Sequence, residues 1–168
     1  MKLWLAAVVF LMAATACYPT TTRPPFEPGP AAPHAEVELF VPQATREAAL
    51  ALNGDSIPVM RTEPKDGWLE TGWFDARTLQ PTTARPLGEN VVKLRAWIEP
   101  SKPNYSMITI ETVYRPLVDP SRDERSLERQ VSDSSPMGLK VQAILKHLTA
   151  AFGDSTATPT VTPKKSGP

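Results

Sequence analysis

Cysteine and histidine are almost missing from this chain. Cys17 is the only cysteine, and His34 and His147 are the only histidines. No Cys/His set with zinc spacing and no disulfide framework can be assembled from them. A nucleophile–histidine–acid triad would need one of two histidines that fall at the edge of a proline-rich segment and on the polar side of a helical pattern. There is no G-x-S-x-G elbow and no glycine loop of the kind that cradles phosphate. A surplus of either charge is absent too: eighteen basic residues balance eighteen acidic ones, so the basic footprint of nucleic-acid binding is missing. These absences predict no metal, no cofactor, no nucleic-acid partner and no catalytic residue.

Long apolar runs are equally scarce. The one that exists, Leu3–Ala14 (LWLAAVVFLMAA), has twelve residues. At about 1.5 Å per residue it covers roughly 18 Å, short of a hydrocarbon core of about 30 Å. With Lys2 before it and small residues after it, residues 1–16 read as a signal peptide.

The cleavage region, Ala14-Thr15-Ala16-Cys17, resembles the lipobox of bacterial lipoprotein precursors. That resemblance implies cleavage between Ala16 and Cys17, a diacylglyceryl group on the Cys17 thiol and an acylated amine. Such acyl chains anchor a protein stably, since each buried CH₂ contributes about 0.8 kcal/mol. The sequence departs from the pattern at Ala14, where leucine is commonest. Ala14-x-Ala16 also suits ordinary signal peptidase, which would release a soluble periplasmic or secreted protein. Tyr18, rather than Asp, follows the cysteine, and by the same resemblance this favours the outer membrane, facing the periplasm.

Proline is abundant at both ends. Six of the nineteen prolines lie between Pro19 and Pro33, and three between Pro159 and Pro168. Residues 17–33 therefore read as a lipidated cysteine followed by a passive tether, whose sixteen residues from Tyr18 would extend roughly 50 Å at about 3.1 Å each. Residues 155–168 have the composition of a disordered tail. Between them, residues 34–154 form the domain.

Within the domain, Ala35–Val41 alternates as a half-buried strand. Thr45–Asn53 is rich in helix formers and ends at Asn53-Gly54. Ile57–Thr62 and Trp68–Phe74 read as a hairpin around Pro64-Lys65-Asp66-Gly67. Asp75–Asn90 reads as a long loop. Val91–Glu99 alternates again, with Val92, Leu94, Ala96 and Ile98 on one face and Lys93, Arg95, Trp97 and Glu99 on the other. Tyr105–Arg115 is a β-branched strand. Ser135-Pro136 opens a helix to Phe152 with an apolar stripe of Val141, Ile144, Leu145, Leu148 and Phe152. The order β-α-β-β-β-β-α predicts a single small α+β domain: an antiparallel sheet of about five strands with two helices packed on one face, in a helix-grip-like arrangement.

A strand, a short helix ending in Asn-Gly, and a hairpin of the form V-x-R…D-G-x-L-x-T-G-W-F resemble the repeated domain of BamC, a lipoprotein of the outer-membrane β-barrel assembly machine. The hairpin residues are Val59, Arg61, Asp66, Gly67, Leu69, Thr71, Gly72, Trp73 and Phe74. The resemblance spans about a quarter of the chain, and it implies an α+β fold and an envelope location.

Trp68, Trp73, Phe74 and Trp97 cluster on successive strands, with aromatics on both faces of the third, and are the candidate binding surface. Glu36, Glu38, Glu70, Glu99 and Glu111 fall on strands, where they are expected on a solvated face. Arg122–Arg129 (RDERSLER) reads as a solvated loop or short helix. Together these features predict a non-catalytic cell-envelope lipoprotein. It is held to the membrane through the lipid on Cys17 and presents its domain to an envelope protein of unknown identity. The alternatives are a small apolar ligand or lipid bound between sheet and last helix, and a hydrolase using paired carboxylates.

Overall fold

The fold is described by a computed structural model over residues 21–82 and 88–153. The leader, Cys17 and the 155–168 tail lie outside the described residues. The elements are β1 (His34–Val37), α1 (Val41–Gly54), β2 (Val59–Glu63), β3 (Trp68–Thr71), β4 (Phe74–Asp75), β5 (Val91–Pro100) and β6 (Ser106–Tyr114). A short helix α2 (Glu124–Leu127), β7 (Arg129–Gln130) and α3 (Pro136–Phe152) complete the chain. The strands form one antiparallel sheet in the order β1-β6-β5-β3-β2, with β4 added to β5 and β7 to β6. This is the α+β class expected from the pattern of elements.

Alternation decides the faces. Val92, Leu94, Ala96 and Ile98 of β5, with Ile108 and Ile110 of β6, all point to the buried core, as a period of two requires. The helices cover that face. In α1, Ala44, Thr45, Ala48, Ala49 and Leu52 recur at three- and four-residue spacing and are buried; the small side chains let its backbone approach the sheet. In α3, Val141, Ile144, Leu145 and Leu148 do the same. These side chains fill the space between sheet and α3, where a small apolar ligand would have to sit.

Local chemistry sets the ends of the elements. The Ser135 side chain accepts from Gly138 N at 3.0 Å, with Pro136 in the first turn of α3, the geometry of a capped helix start. The first strand ends at Val37, four residues before the expected Val41. Pro42 stands in the first turn of α1, so Val41 joins the helix. At the β2–β3 turn Gly67 has φ of 62°, and its carbonyl accepts from Ile98 N at 2.8 Å. A Cβ at that position would collide with the Ile98 carbonyl.

The expected continuous third strand is two strands. Glu70 pairs with Arg95, but Phe74 pairs with Val92, so one extra residue is accommodated at Gly72-Trp73. The Thr71 hydroxyl fills the ladder there, accepting from Leu94 N at 2.9 Å. Such a bulge reverses the parity of everything after it. Leu69 and Phe74 consequently share the core face, and Trp73 leaves it. The expected long loop after it begins as a turn, in which Asp75 accepts from the backbone of Arg77 and Thr78 at 2.9 and 2.8 Å.

Candidate functional site

The second face of the sheet carries the charges of β5 and β6. Arg95 and Glu111 are register partners on these strands, so their side chains rise side by side. Two residues of the charge run join them. Asp123 caps α2 through its side chain, and this one turn aims Arg125 and Glu128 at the sheet. Arg95 forms a bidentate pair with Glu128 at 2.7 and 2.8 Å. Arg125 forms another with Glu111, also at 2.7 and 2.8 Å, and reaches Glu128 at 3.0 Å. Arg95 and Glu111 close the square at 3.8 Å.

The quartet is neutral and deeply placed. Arg95, Glu111 and Glu128 are 7%, 2% and 8% exposed. Burial by itself would raise the Glu128 pKa, but the hydrogen bonds and charges of Arg95 and Arg125 outweigh it and hold the carboxyl below its ordinary value. The hydrogen bond to Glu111 holds the Arg125 guanidinium more firmly protonated. Glu111, expected on a solvated strand face, is thus corrected, and so are Arg125 and Glu128 of the charge run; the rest of that run, Arg122, Asp123, Glu124, Ser126 and Arg129, is exposed on the short helix and its flanks, as expected. A buried charge needs such pairing.

The lid of the site is the proline-rich segment. Over residues 21–33 the expected passive tether is instead a strap lying across this face. Thr22 donates to Asp66 Oδ2 from both its backbone N and its hydroxyl, at 2.7 and 2.6 Å. Arg23 pairs with Glu99 at 2.7 Å. Phe26 then sits against the guanidiniums of Arg125 and Arg95, 4.6 and 5.3 Å from its ring centre, and edge-on to Trp97 at 6.1 Å. Prolines have no N–H to donate to a sheet ladder, so side chains supply much of what holds this strap. Its backbone contributes at separate points: the Gly29 N–H, between Pro28 and Pro30, donates to Glu111 Oε1 at 2.8 Å, and the Pro33 carbonyl accepts from Ile110 N at 3.0 Å. Arg125 in turn donates to the Glu27 carbonyl at 3.3 Å.

Of the four aromatics expected to form a binding surface, only two meet. Trp68 and Trp97 are register partners, packed edge to face with centroids 4.8 Å apart, and each is 1% exposed beneath the strap. The indole Nε1 of Trp97 is buried with no hydrogen-bond partner among the described residues. Phe74 lies in the core on the opposite face, carried there by the bulge. Trp73 is half-buried at the margin, between Arg115 at 4.6 Å and Lys93 at 5.4 Å. Burial, and next the neighbouring Arg95 charge, lower the pKa of Lys93.

The remaining candidates are dispersed. Glu36 pairs with Lys102 at 2.8 Å and Glu99 with Arg23. Glu38 is exposed and Glu70 half-buried. His34 and His147 are exposed on β1 and α3, and no group of metal-ligating side chains large enough to hold an ion occurs among the described residues. A shallow groove of about 450 Å³ runs between α1 and α3, lined by Glu47, Leu50, Ala51, Asp55, His147 and Ala151 among others.

Arg95, Glu111, Arg125, Glu128 and Phe26 were not marked as a site by their spacing. The available signals were faint: an Arg125–Glu128 pair at helical spacing, and one aromatic among six prolines. No protein-family model matches this chain, and no curated protein matches it in sequence.

Proposed function

We propose that this protein is a non-catalytic lipoprotein of the cell envelope, anchored through Cys17 to the outer membrane on its periplasmic side, whose α+β domain binds another envelope protein. The observation that carries the protein-binding part is the strap. The domain holds an extended proline-containing segment against its sheet by placing Phe26 on two guanidiniums and an indole, the aromatic and arginine contacts on which protein recognition commonly relies. The absence of catalysis is supported by the same site. Its two converging acids, Glu111 and Glu128, are each held by guanidiniums, which leaves neither as a free base or proton donor. The lipid anchor is supported by the apolar run Leu3–Ala14 and the Ala14-Thr15-Ala16-Cys17 junction. The hairpin resemblance to BamC, carried by residues of β2, β3, β4 and their connections, supports the envelope location.

Two measurements on the full chain test this reading. Labelling with a radioactive fatty acid should mark the wild type and not Cys17→Ser. Crosslinking in intact membranes should then return one reproducible protein partner, lost when Cys17→Ser releases the domain. Absence of label, or a labelled protein with no reproducible partner, overturns it.

A further inference from the structure

Both ends of the described chain leave the domain at one end of the sheet. The strap starts at Thr21-Thr22, fixed to Asp66 in the β2–β3 turn. The last helix finishes at Phe152, whose carbonyl accepts from Glu38 N at 2.6 Å. The β5–β6 turn lies at the same end, because Val37 pairs with Ser106 and Trp68 pairs with Trp97. So does the start of α1, where Val41 packs against Gly67. This end displays Phe40, an aromatic ring 60% exposed, across a groove of about 420 Å³ from Pro103 and Tyr105. Lys102 lines the groove, paired with Glu36, and Lys65 is exposed in the β2–β3 turn. Of the acids at this end, Glu99, Glu36 and Glu63 are paired with Arg23, Lys102 and Arg61, Asp66 accepts from Thr22, and Glu38 is exposed.

We propose that this end of the domain is seated on the bilayer surface, with Phe40 at the level of the lipid headgroups and Lys65 beside the phosphates. The inference rests on the lipid-anchored reading of Cys17. Four peptide units separate Cys17 from Thr21, and fully extended they span about 14 Å. A tether free as far as His34 would allow roughly 50 Å. Docking of the strap therefore converts a long leash into a short one, and it presents one particular end to the membrane. Aromatic rings and long cationic side chains are the residues that suit a membrane–water interface.

The test exploits the single cysteine, since acylation consumes its thiol. Phe40→Cys and Ser134→Cys are made separately in the full lipidated chain; Ser134 is exposed and precedes α3 at the far end of the domain. Each is labelled with a fluorophore and reconstituted into vesicles of phosphatidylethanolamine and phosphatidylglycerol. A nitroxide carried on the lipid headgroups should quench the Phe40→Cys label several-fold more than the Ser134→Cys label. Adding Phe26→Ala and Asp66→Ala to release the strap should bring the two values together. Equal quenching at both positions in protein shown to be acylated on Cys17 overturns the seating. A difference that survives release of the strap overturns the strap as its cause. Protein that carries no acyl group overturns the lipoprotein reading itself.

Discussion

Arg95 and Glu128 meet through two parallel hydrogen bonds of 2.7 and 2.8 Å although 33 residues separate them in sequence. The pair is closed from water by the strap above and the sheet below. Each group has lost its hydration and depends on the other to compensate for it.

Removing one partner should therefore cost far more than an exposed ion pair would. Glu128→Gln leaves the Arg95 charge buried with Glu111 as its nearest carboxylate at 3.8 Å, and is expected to destabilise the domain by about 3 kcal/mol. The double variant Arg95→Met, Glu128→Leu should recover most of that loss, because Arg125 and Glu111 still neutralise one another. Urea denaturation of the three proteins measures both effects. A double variant no more stable than Glu128→Gln would show that the pair itself is not what holds the site.

The same pair sets an acid dependence. The Glu128 carboxyl titrates below its ordinary 4.5 in the folded protein. Its contribution is complete above the unfolded value, and is lost as pH falls through the folded one. The stability gap between wild type and Glu128→Gln should thus be constant near neutrality and shrink below about pH 4.5. Denaturation midpoints taken across that range read it directly. A gap that widens with acid has the wrong sign for this explanation.

Phe26 keeps water from Trp68 and Trp97. Phe26→Ala should shift tryptophan emission to the red and cost about 1–3 kcal/mol, less than a fully buried Phe because its ring is only partly covered. Unchanged emission together with unchanged stability would mean that the strap is a passive spacer after all.

Glycine positions separate backbone strain from simple loss of flexibility. Gly67→Ala, at positive φ with its Cβ driven into the Ile98 carbonyl, should cost at least about 2 kcal/mol. Gly54→Ala, at the end of α1 with open space around it, should be neutral or stabilising by about 0.5 kcal/mol. Thermal denaturation of the two variants ranks them, and equal effects would contradict the collision at Gly67.

Periodicity alone determined the inner half of this protein. The alternation of Val92, Leu94, Ala96 and Ile98, and the stripe from Val141 to Leu148, put apolar side chains on one face of a strand and one side of a helix. Burial of that face follows from local geometry, so the class, the covering helices and the Ser135-Pro136 start were all legible. The outer half was not. Arg95 and Glu111 alternate with the core and carry charge, which by local rules places them in water. Their burial depends on a strap and a charge run whose contacts reach across as many as 98 residues, from Arg125 to Glu27. Charge pairing of that kind leaves no periodic trace. Phe74 belongs to the same category: one extra residue at Gly72-Trp73 moved it to the core, and only the pairing of β3 and β4 with β5 decides that such a residue is extra. The sequence carries the faces that water rejects, whereas the tertiary structure chose which polar face would be closed.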